Sequence, residues 1–579
     1  MINLTINNMP VEARKGTTIL EAARVVGVDI PTLCHMDLHD FNMINQSANC
    51  RVCMVEVEGA KALVPACATA VTEGMVVHTS SPRAVNSRRA VVEFILSDHP
   101  KDCLECEKNL NCELQTLAAK LNVKEVHLKG KRNKYPKDIS NYSIIRDPEK
   151  CILCRRCETM CNIVQTVGVY SAVDRGFETV IGTSFNLPLS ETECTFCGQC
   201  VSVCPTAALD KVDNTPEVWR ALNDPKKLVV VQTAPAVRVA LGEHFGMKPG
   251  TNVKGKMIAA LRRLGFHYVM DTNFAADLTV MEEAAELLHR MENGGRLPIL
   301  TSCCPAWINF IEFQFPELLD IPSTCRSPHE MFGVIAKTYF AEHLNIHPKN
   351  MTVVSVMPCL AKKYEIHRPE LEVYDISNVD YVITTNGLAD MIKEAAISFE
   401  SLHDEEFDTV MGESSGAAAI FGTTGGVAEA TVRTAYEWYT GKKLENIEFQ
   451  QLRGMKGHRE ASVDFDGTEI KIAIANGLGN ARKLLEDVRD GKIEYHVIEI
   501  MACPGGCVGG GGQPMYPMEK IKTLKRRQRA LYAVDADNPI RCAHENPQIQ
   551  KLYDEYLGKP YGEKAQKLLH TKYFDKSIP

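Results

Sequence analysis

The sequence predicts a chain of several domains: a small β-rich module, a short helical segment, a compact segment built on two cysteine runs, and a large two-lobed α/β unit. Three observations predict it. The length of 579 residues exceeds what one hydrophobic core serves. Nineteen of the 22 cysteines sort by spacing into five groups that follow one another along the chain. Hydrophobic periodicity changes from strand-like alternation at the N-terminus, through helical spacing, to strands alternating with longer helical runs beyond residue 225. The expected domains are 1–80, 81–140, 141–212 and 225–579.

A hydrophobic content of 45% and a net charge of -8 describe a globular protein too acidic to favour nucleic acid or an anionic membrane surface. No run approaches the ~18 unbroken apolar residues of a membrane span, and the opening MINLTINNMPVEARKG has no apolar signal core. The expectation is a cytoplasmic protein without membrane or nucleic-acid partners. In that compartment thiols stay reduced, so dense CxxC spacing means metal or redox chemistry rather than disulfides.

In 1–80 the strand-like runs INLTI, CMVEVEG and GMVVHT surround one helical run, TTILEAARVVGV, opened by Thr17 or Thr18. Cys50 and Cys53 form a CxxC flanked by the distant Cys34 and Cys67, which suits a plant-type [2Fe-2S] site better than a bacterial [4Fe-4S] run. Spacing and position resemble the β-grasp ferredoxin that opens complex I large subunits and many hydrogenases.

Residues 81–140 turn helical (RAVVEFILSDHP, CELQTLAAKL) and carry His99, Cys103, Cys106 and Cys112. Spacing alone allows a zinc site with one histidine and three cysteines. The alternative, a histidine-ligated [4Fe-4S] cluster, is favoured by the resemblance of HxxxCxxCxxxxxC behind a β-grasp module to complex I and hydrogenase chains.

Residues 141–212 hold CILCRRCETMC and CTFCGQCVSVCP. Such paired runs bind two [4Fe-4S] cubes, the fourth cysteine of each run serving the other cube. Cys151, Cys154, Cys157 and Cys204 are assigned to one, Cys161, Cys194, Cys197 and Cys200 to the second. Beyond the polar stretch DKVDNTPEVWRALNDPKK, the strands LVVVQTA, PILTS, TVVSVMP, YVITT and HVIEI alternate with helical runs, which predicts parallel sheets covered by helices. Three cysteine motifs, TSCCPAW (301–307), MPCLAKKYE (357–365) and IMACPGGCVGGGGQP (500–514), fall near strand ends, where α/β proteins place ligands.

Together the three motifs resemble the signatures of the [FeFe]-hydrogenases, and the resemblance covers nearly the whole chain in the same module order. It implies that Cys304, Cys359, Cys503 and Cys507 hold an H-cluster: a [4Fe-4S] cube joined, through Cys507, to a two-iron unit with carbonyl, cyanide and dithiolate ligands. It implies Lys362 as a charged donor to cyanide, and Ala234 and Pro235 of QTAPAVR, with Met357 and Met501, as residues against the cofactor. Methionine as core filler is the other reading of the last two. The glycines of PGGCVGGGGQP allow the backbone close to a bulky cluster, and two ligand cysteines within that loop argue against a flexible surface segment. The small-residue run 414–434 lines the cluster or packs helices closely; both readings stand.

A proton route carries over from the family as Cys303, Glu283, Ser323, Glu286 and Arg290. The helix TVMEEAAELLHR places Glu283, Glu286 and Arg290 along one side, and Cys303 is a thiol no cluster claims. This chain departs from the family at Ala236 (commonly serine), His329 (glutamine) and Ala428 (methionine), changes that bear on cluster potential. Cys325 and Cys542 read as buried packing residues.

The implied activity is interconversion of H2 with two protons and two electrons, served by one [2Fe-2S] and three accessory [4Fe-4S] clusters. No GxGxxG fingerprint is present, and GTNVKGKM ends in Met257 where a phosphate loop needs Ser or Thr. Nicotinamide or flavin chemistry then belongs to another subunit. TTILEAARVVGVDIPTLCH, CRVCMVEVEGA and HPKDCLECEKNLNCELQ resemble catalytic subunits of NAD(P)-linked, electron-bifurcating hydrogenases, which implies a flavin- and NAD(P)-binding subunit, a thioredoxin-fold [2Fe-2S] subunit, ferredoxin and maturation proteins as partners. The rivals are a stand-alone ferredoxin-dependent hydrogenase and a non-catalytic iron-sulfur assembly or H2-sensing protein on the same fold.

Overall fold

The architecture is that of a computed structural model describing residues 1–38, 45, 47–515 and 520–577. In the first module the strands Ile2–Ile6 and Met9–Ala13 form an antiparallel hairpin. Asn7 and Asn8 make its turn, both at positive φ, which asparagine tolerates and hairpin twist favours. Strand Val76–His78 runs parallel to the first strand and antiparallel to Met54–Val57. Helix Ile19–Val25 crosses this five-stranded sheet. Thr18 opens it in a capping box with Glu21, and Ile19 and Leu20 pack on Leu4, Ile6, Val55 and Val77.

Helix Pro82–Asp98, capped by Ser81, delivers His99 at its end, and the cysteine loop leads into helix Glu113–Lys120. This segment is locked to the next. Arg156, fully buried, donates to Glu113 at 2.7 Å, and Lys108 donates to the Cys204 carbonyl at 2.6 Å. An apolar cluster containing Cys34, Cys50, Val92, Leu114 and Cys154 joins the first three modules.

The two-run segment has internal symmetry. Leu153 and Arg155 in the first run match Phe196 and Gly198 in the second, and all four take positive φ. Those left-handed steps turn the chain around a centre, after which each run enters a short helix, Arg156–Thr159 and Gln199–Val203. Strand Ile144–Arg146 pairs with Leu209–Lys211 and closes the unit.

Beyond it lie two four-stranded sheets. In the first, Tyr268–Asp271, Leu228–Thr233, Met351–Met357 and Tyr381–Thr384 are all parallel. The second orders Ile299–Leu300, Val497–Met501 and Thr468–Asn476 in parallel, but its edge strand His458–Phe465 is antiparallel. The expectation of parallel sheets is therefore corrected at this edge. The alternation in ASVDFDGTEIKIAIA and its Asp466-Gly467 turn, both residues at positive φ, encode a hairpin. The polar stretch after residue 212 carries a helix, Thr215–Leu222. The C-terminal helices Lys520–Asp537, Pro547–Leu552 and Glu563–Leu569 pack back on the lobes, with Arg527 bidentate to Glu243 at 2.7 Å. Among the described residues no helix is long and apolar enough to cross a membrane.

Candidate metal centres and the residues around them

The cysteine groups assemble as four separate sulfur-lined places and a fifth between the lobes. In the first module the sulfurs of Cys53 and Cys67 lie 3.3 Å apart, and Cys34 lies within hydrogen-bonding reach of Cys50 and Cys67. One cavity is lined by His99, Cys103, Cys106 and Cys112. There His99 Nδ1 is buried and meets no hydrogen-bond partner, and burial, then the Lys150 and Arg132 charges, hold the imidazole neutral with its pKa down to about 4. A neutral, unpartnered ring nitrogen facing three thiols is a donor set that fits a metal.

Two further cavities separate the eight cysteines of the paired runs. Cys151, Cys154, Cys157 and Cys204 line one; Cys161, Cys194, Cys197 and Cys200 line the other. The backbone amides of Leu153 and Arg156 donate to Cys151 and Cys154, and those of Phe196 and Gln199 to Cys194 and Cys197. Amides aimed at sulfur favour the thiolate, the form that binds iron. Apolar burial pushes the pKa of these thiols up, so a bare thiolate is disfavoured there and the anionic form needs a neutralising metal.

The fifth place is made by strand ends. Cys303 and Cys304 follow Ile299–Leu300, Cys359 follows Met351–Met357, and Cys503 follows Val497–Met501. Cys359 thus comes from one lobe and Cys304 and Cys503 from the other. Cys359, Cys304 and Cys507 all act electrostatically on Cys503, after burial, to raise its pKa, which places the four sulfurs in one neighbourhood. The glycine loop is packed, not loose: a Cβ on Gly510 would sit 2.2 Å from the Pro358 carbonyl, and one on Gly511 would sit 2.7 Å from that of Gly198. The loop is wedged between the Cys359 turn and the second cysteine run.

Lys362 is buried and donates to the Cys303 carbonyl at 3.1 Å and to Glu365 at 2.7 Å. Met501 lies in a buried cluster with Ala417, Ala418, Phe421, Val427 and Ala430, against which Cys303 packs. The run 414–434 is therefore both closely packed and adjacent to the Cys303 thiol. Met357, Ala234 and the methyl-lined strand ends around them belong to the core of the first lobe; Pro235 is buried beside them.

Of the residues expected on a proton route, Ser323 donates to Glu286 at 2.8 Å and Arg290 donates to the same carboxylate at 2.6 Å. Glu283 accepts from the Ser302 amide and the Thr431 hydroxyl, each at 3.3 Å. Burial raises its pKa to about 8, and Glu286 adds to the shift. Burial and then Glu283 raise Cys303 well above the usual thiol range. No direct bond among the described residues joins Glu283 to Cys303 or to Ser323. Cys325 and Cys542 are buried, as expected of packing residues.

Two contributors escaped sequence reasoning. Glu499, alternate in HVIEI and fully buried, accepts the amides of Gly425, Val427 and Ala428 and so anchors the start of helix Gly426–Thr440 beside the site. Lys520 is buried, reaches Gln199 at 3.4 Å, and is held down to about 8 by burial despite Cys503 and Cys197 nearby. A charged residue inside an apolar strand pattern was the available clue to Glu499; nothing local marked Lys520. At the departures, Ala236 lies in the cluster against which Cys507 packs, Ala428 in the core of the second lobe, and His329 on Glu365.

Comparison with known proteins agrees with this layout. Residues 227–511 match the family described as iron only hydrogenase large subunit, C-terminal domain, and 521–576 match iron hydrogenase small subunit. Residues 1–82 match a 2Fe-2S iron-sulfur cluster binding domain, 88–127 the NADH-ubiquinone oxidoreductase-G iron-sulfur binding region, and 145–208 a 4Fe-4S dicluster domain. The chain is 54% identical to the NADP-reducing hydrogenase subunit HndD of Solidesulfovibrio fructosivorans over 99% of both chains. It is 40% identical to iron hydrogenase 1 of Clostridium pasteurianum over 99% of this chain and 100% of that one. The apo [FeFe]-hydrogenase HydA1 of Chlamydomonas reinhardtii superposes with a TM-score of 0.57 at 41% identity, covering 63% of this chain and 100% of that one. Its cofactors are accordingly [2Fe-2S] and [4Fe-4S] clusters and the H-cluster. On sulfur sites that converge from two lobes and on likeness along its whole length, the chain belongs to the iron-only, or [FeFe], hydrogenases, oxidoreductases acting on H2.

Proposed function

We propose that this hydrogenase is the H2-converting subunit of an NAD(P)- and ferredoxin-linked, bifurcating complex, working in the cytoplasm. The observation that carries the catalytic part is the meeting of Cys304, Cys359 and Cys503 from strand ends of two lobes with Cys507 on the wedged glycine loop. These four would hold the H-cluster. When bound, that centre supplies the iron at which H2 is made or split.

The chain's own residues do the rest. Cys303, neutral and next to Cys304, holds a proton at the cofactor's edge. Glu283 is poised with a pKa of about 8 to exchange it. Ser323 and Glu286 pass it to Arg290, which is half-buried and donates to the Ile321 and Pro322 carbonyls at the exit. Lys362 keeps its charge because Glu365, together with the Cys359 and Cys303 sulfurs, offsets burial, and it serves as donor to the anionic cyanide. Ala234, Pro235, Met357 and Met501 shape a dry wall.

For electrons, we read 1–80 as a β-grasp [2Fe-2S] domain, 81–140 as a [4Fe-4S] domain with His99 as a ligand, 141–212 as a two-cube ferredoxin and 225–579 as the catalytic domain. Cys34, Cys50 and Cys112 all pack in the cluster that holds Cys154, which supports two intake sites converging on the Cys151 cube. The Cys161 cube follows, with Cys197 close enough to Cys503 to raise its pKa. The lack of a dinucleotide fingerprint supports a separate flavin and NAD(P) subunit, alongside a thioredoxin-fold [2Fe-2S] subunit; maturation proteins supply the two-iron unit.

The test is anaerobic affinity purification from the source cell with an H2 assay. Co-purifying flavin-binding and thioredoxin-fold subunits, and H2 oxidation needing ferredoxin and NAD(P)+ together, are the expected result. A monomer that reduces ferredoxin at full rate by itself overturns the complex.

A further inference from the structure

Lys362 shares its carboxylate. Glu365 Oε2 lies 2.7 Å from Lys362 Nζ and also 2.7 Å from His329 Nε2, so one oxygen takes two donors. His329 stands in helix Pro328–Ile335 and is 1% exposed. Its other nitrogen, Nδ1, is 3.3 Å from the Ser355 hydroxyl. Gln232 donates to that hydroxyl at 2.8 Å, and Thr272 donates to the Gln232 carbonyl oxygen at 2.9 Å, which fixes the amide's orientation. With the Ser355 oxygen receiving Gln232, its own proton is free for Nδ1, and the hydrogen of the ring sits on Nε2. The chain of donors and acceptors from Thr272 through Gln232, Ser355 and His329 to Glu365 Oε2 is then continuous.

The other charged groups facing the imidazole are Glu330, 3.4 Å from Nε2, and Arg326, which acts on Glu330. Burial raises Glu330, and Asn378 donates to it at 3.0 Å. Glu365 behaves oppositely: burial alone would raise it, but Lys362 and then His329 hold it ionised. Strongly buried carboxylates pull hard on a single ammonium. A second donor on the same oxygen weakens that pull and leaves Lys362 shared with the Cys303 carbonyl.

We propose that His329 is a positioning residue for Lys362: acting through Glu365, it sets where the ammonium sits beside the cofactor's anionic ligands. The proposal rests on the reading of Lys362 as cyanide donor. It concerns residues of two lobe-one helices, 328–335 and 361–365, that touch no cluster ligand through His329 itself.

The test uses the full chain, matured anaerobically, with His329→Leu, His329→Asn, His329→Gln and Lys362→Arg. Infrared cyanide bands are read beside iron content and kcat. Leucine removes the donor, asparagine is too short to reach Glu365, and glutamine restores an N–H at similar reach. The expected result is shifted cyanide bands and about a tenfold loss in kcat for the leucine and asparagine variants, equivalent to ~1.4 kcal/mol, with KM unchanged and glutamine at wild-type positions. If one of the two disruptive variants fails to load iron, the other carries the measurement. Unmoved bands in a fully loaded leucine or asparagine variant overturn the proposal while leaving the Lys362 reading intact, provided Lys362→Arg moves them. Unmoved bands in Lys362→Arg overturn that reading, and the proposal with it.

Discussion

The two-run segment and the inter-lobe site use the same ligand, yet they are built in opposite ways. In the first, three of each four cysteines lie within seven residues, and repeated positive-φ steps at Leu153, Arg155, Phe196 and Gly198 wrap backbone amides around the sulfurs. In the second, Cys304, Cys359 and Cys503 are separated by 55 and 144 residues of intervening numbering and meet only because two sheets end there. A local site can form as its segment folds; the inter-lobe site exists only when the whole domain has closed. The difference teaches where each function is vulnerable. Local sites tolerate damage elsewhere, whereas the catalytic site depends on tertiary packing.

The largest effect should come from one ligand in each region. Cys503→Ser is expected to abolish both H2 evolution and H2/D2O exchange while the accessory-cluster signals in electron paramagnetic resonance persist. Cys154→Ser is expected to stop partner-driven turnover but spare isotope exchange, since exchange needs no external electrons. Loss of exchange in Cys154→Ser would erase the distinction between wire and site.

Next in size is Cys303→Ser, which replaces the thiol at the head of the proposed proton route. Turnover should fall ~10²- to 10⁴-fold, the usual worth of a positioned proton donor, with iron content unchanged; full H2 evolution by a loaded variant refutes the role.

Glu283→Gln should cut turnover similarly and also has a stability signature. The folded pKa of Glu283 is raised to about 8 by burial, so the stability tied to its neutral form is present below the ordinary carboxyl pKa of ~4.3. It is lost as pH rises through that value toward 8. The variant's Tm should therefore gain on wild type as pH rises from 4 to about 8. A constant difference across that window contradicts the assignment.

The smallest effect sharpens the dependence on packing. Gly511→Ala places a methyl 2.7 Å from the Gly198 carbonyl. It should cost ~1–3 kcal/mol of stability, as overpacking does, seen as a lower Tm with cofactor loading reduced before the accessory clusters are.

What the sequence made legible follows the same division. The paired runs, a helix opened at Thr17 or Thr18 and the strands of the lobes' parallel cores were readable because their determinants are local: CxxC spacing, a threonine ahead of an apolar-periodic run, apolar stretches alternating with helical ones; the Thr18–Glu21 capping box and the order of the strands were not read. The hairpin His458–Phe465 with Thr468–Asn476 was equally local, signalled by Asp466-Gly467, and went unread among stronger patterns. The inter-lobe site was legible only through resemblance, because no spacing rule brings residues 304, 359 and 503 together. Lys520 near Cys503 and Arg527 on Glu243 had no local signature at all, since their partners lie some 17 to 321 residues away in sequence.

The central claim is that thiolates delivered by two lobes hold one organometallic centre. Infrared spectroscopy of anaerobically matured protein tests it most directly. The account predicts carbonyl and cyanide bands in the wild type, absent from Cys503→Ser, together with H2 activity; a loaded wild type with no such bands and no reaction with H2 contradicts it.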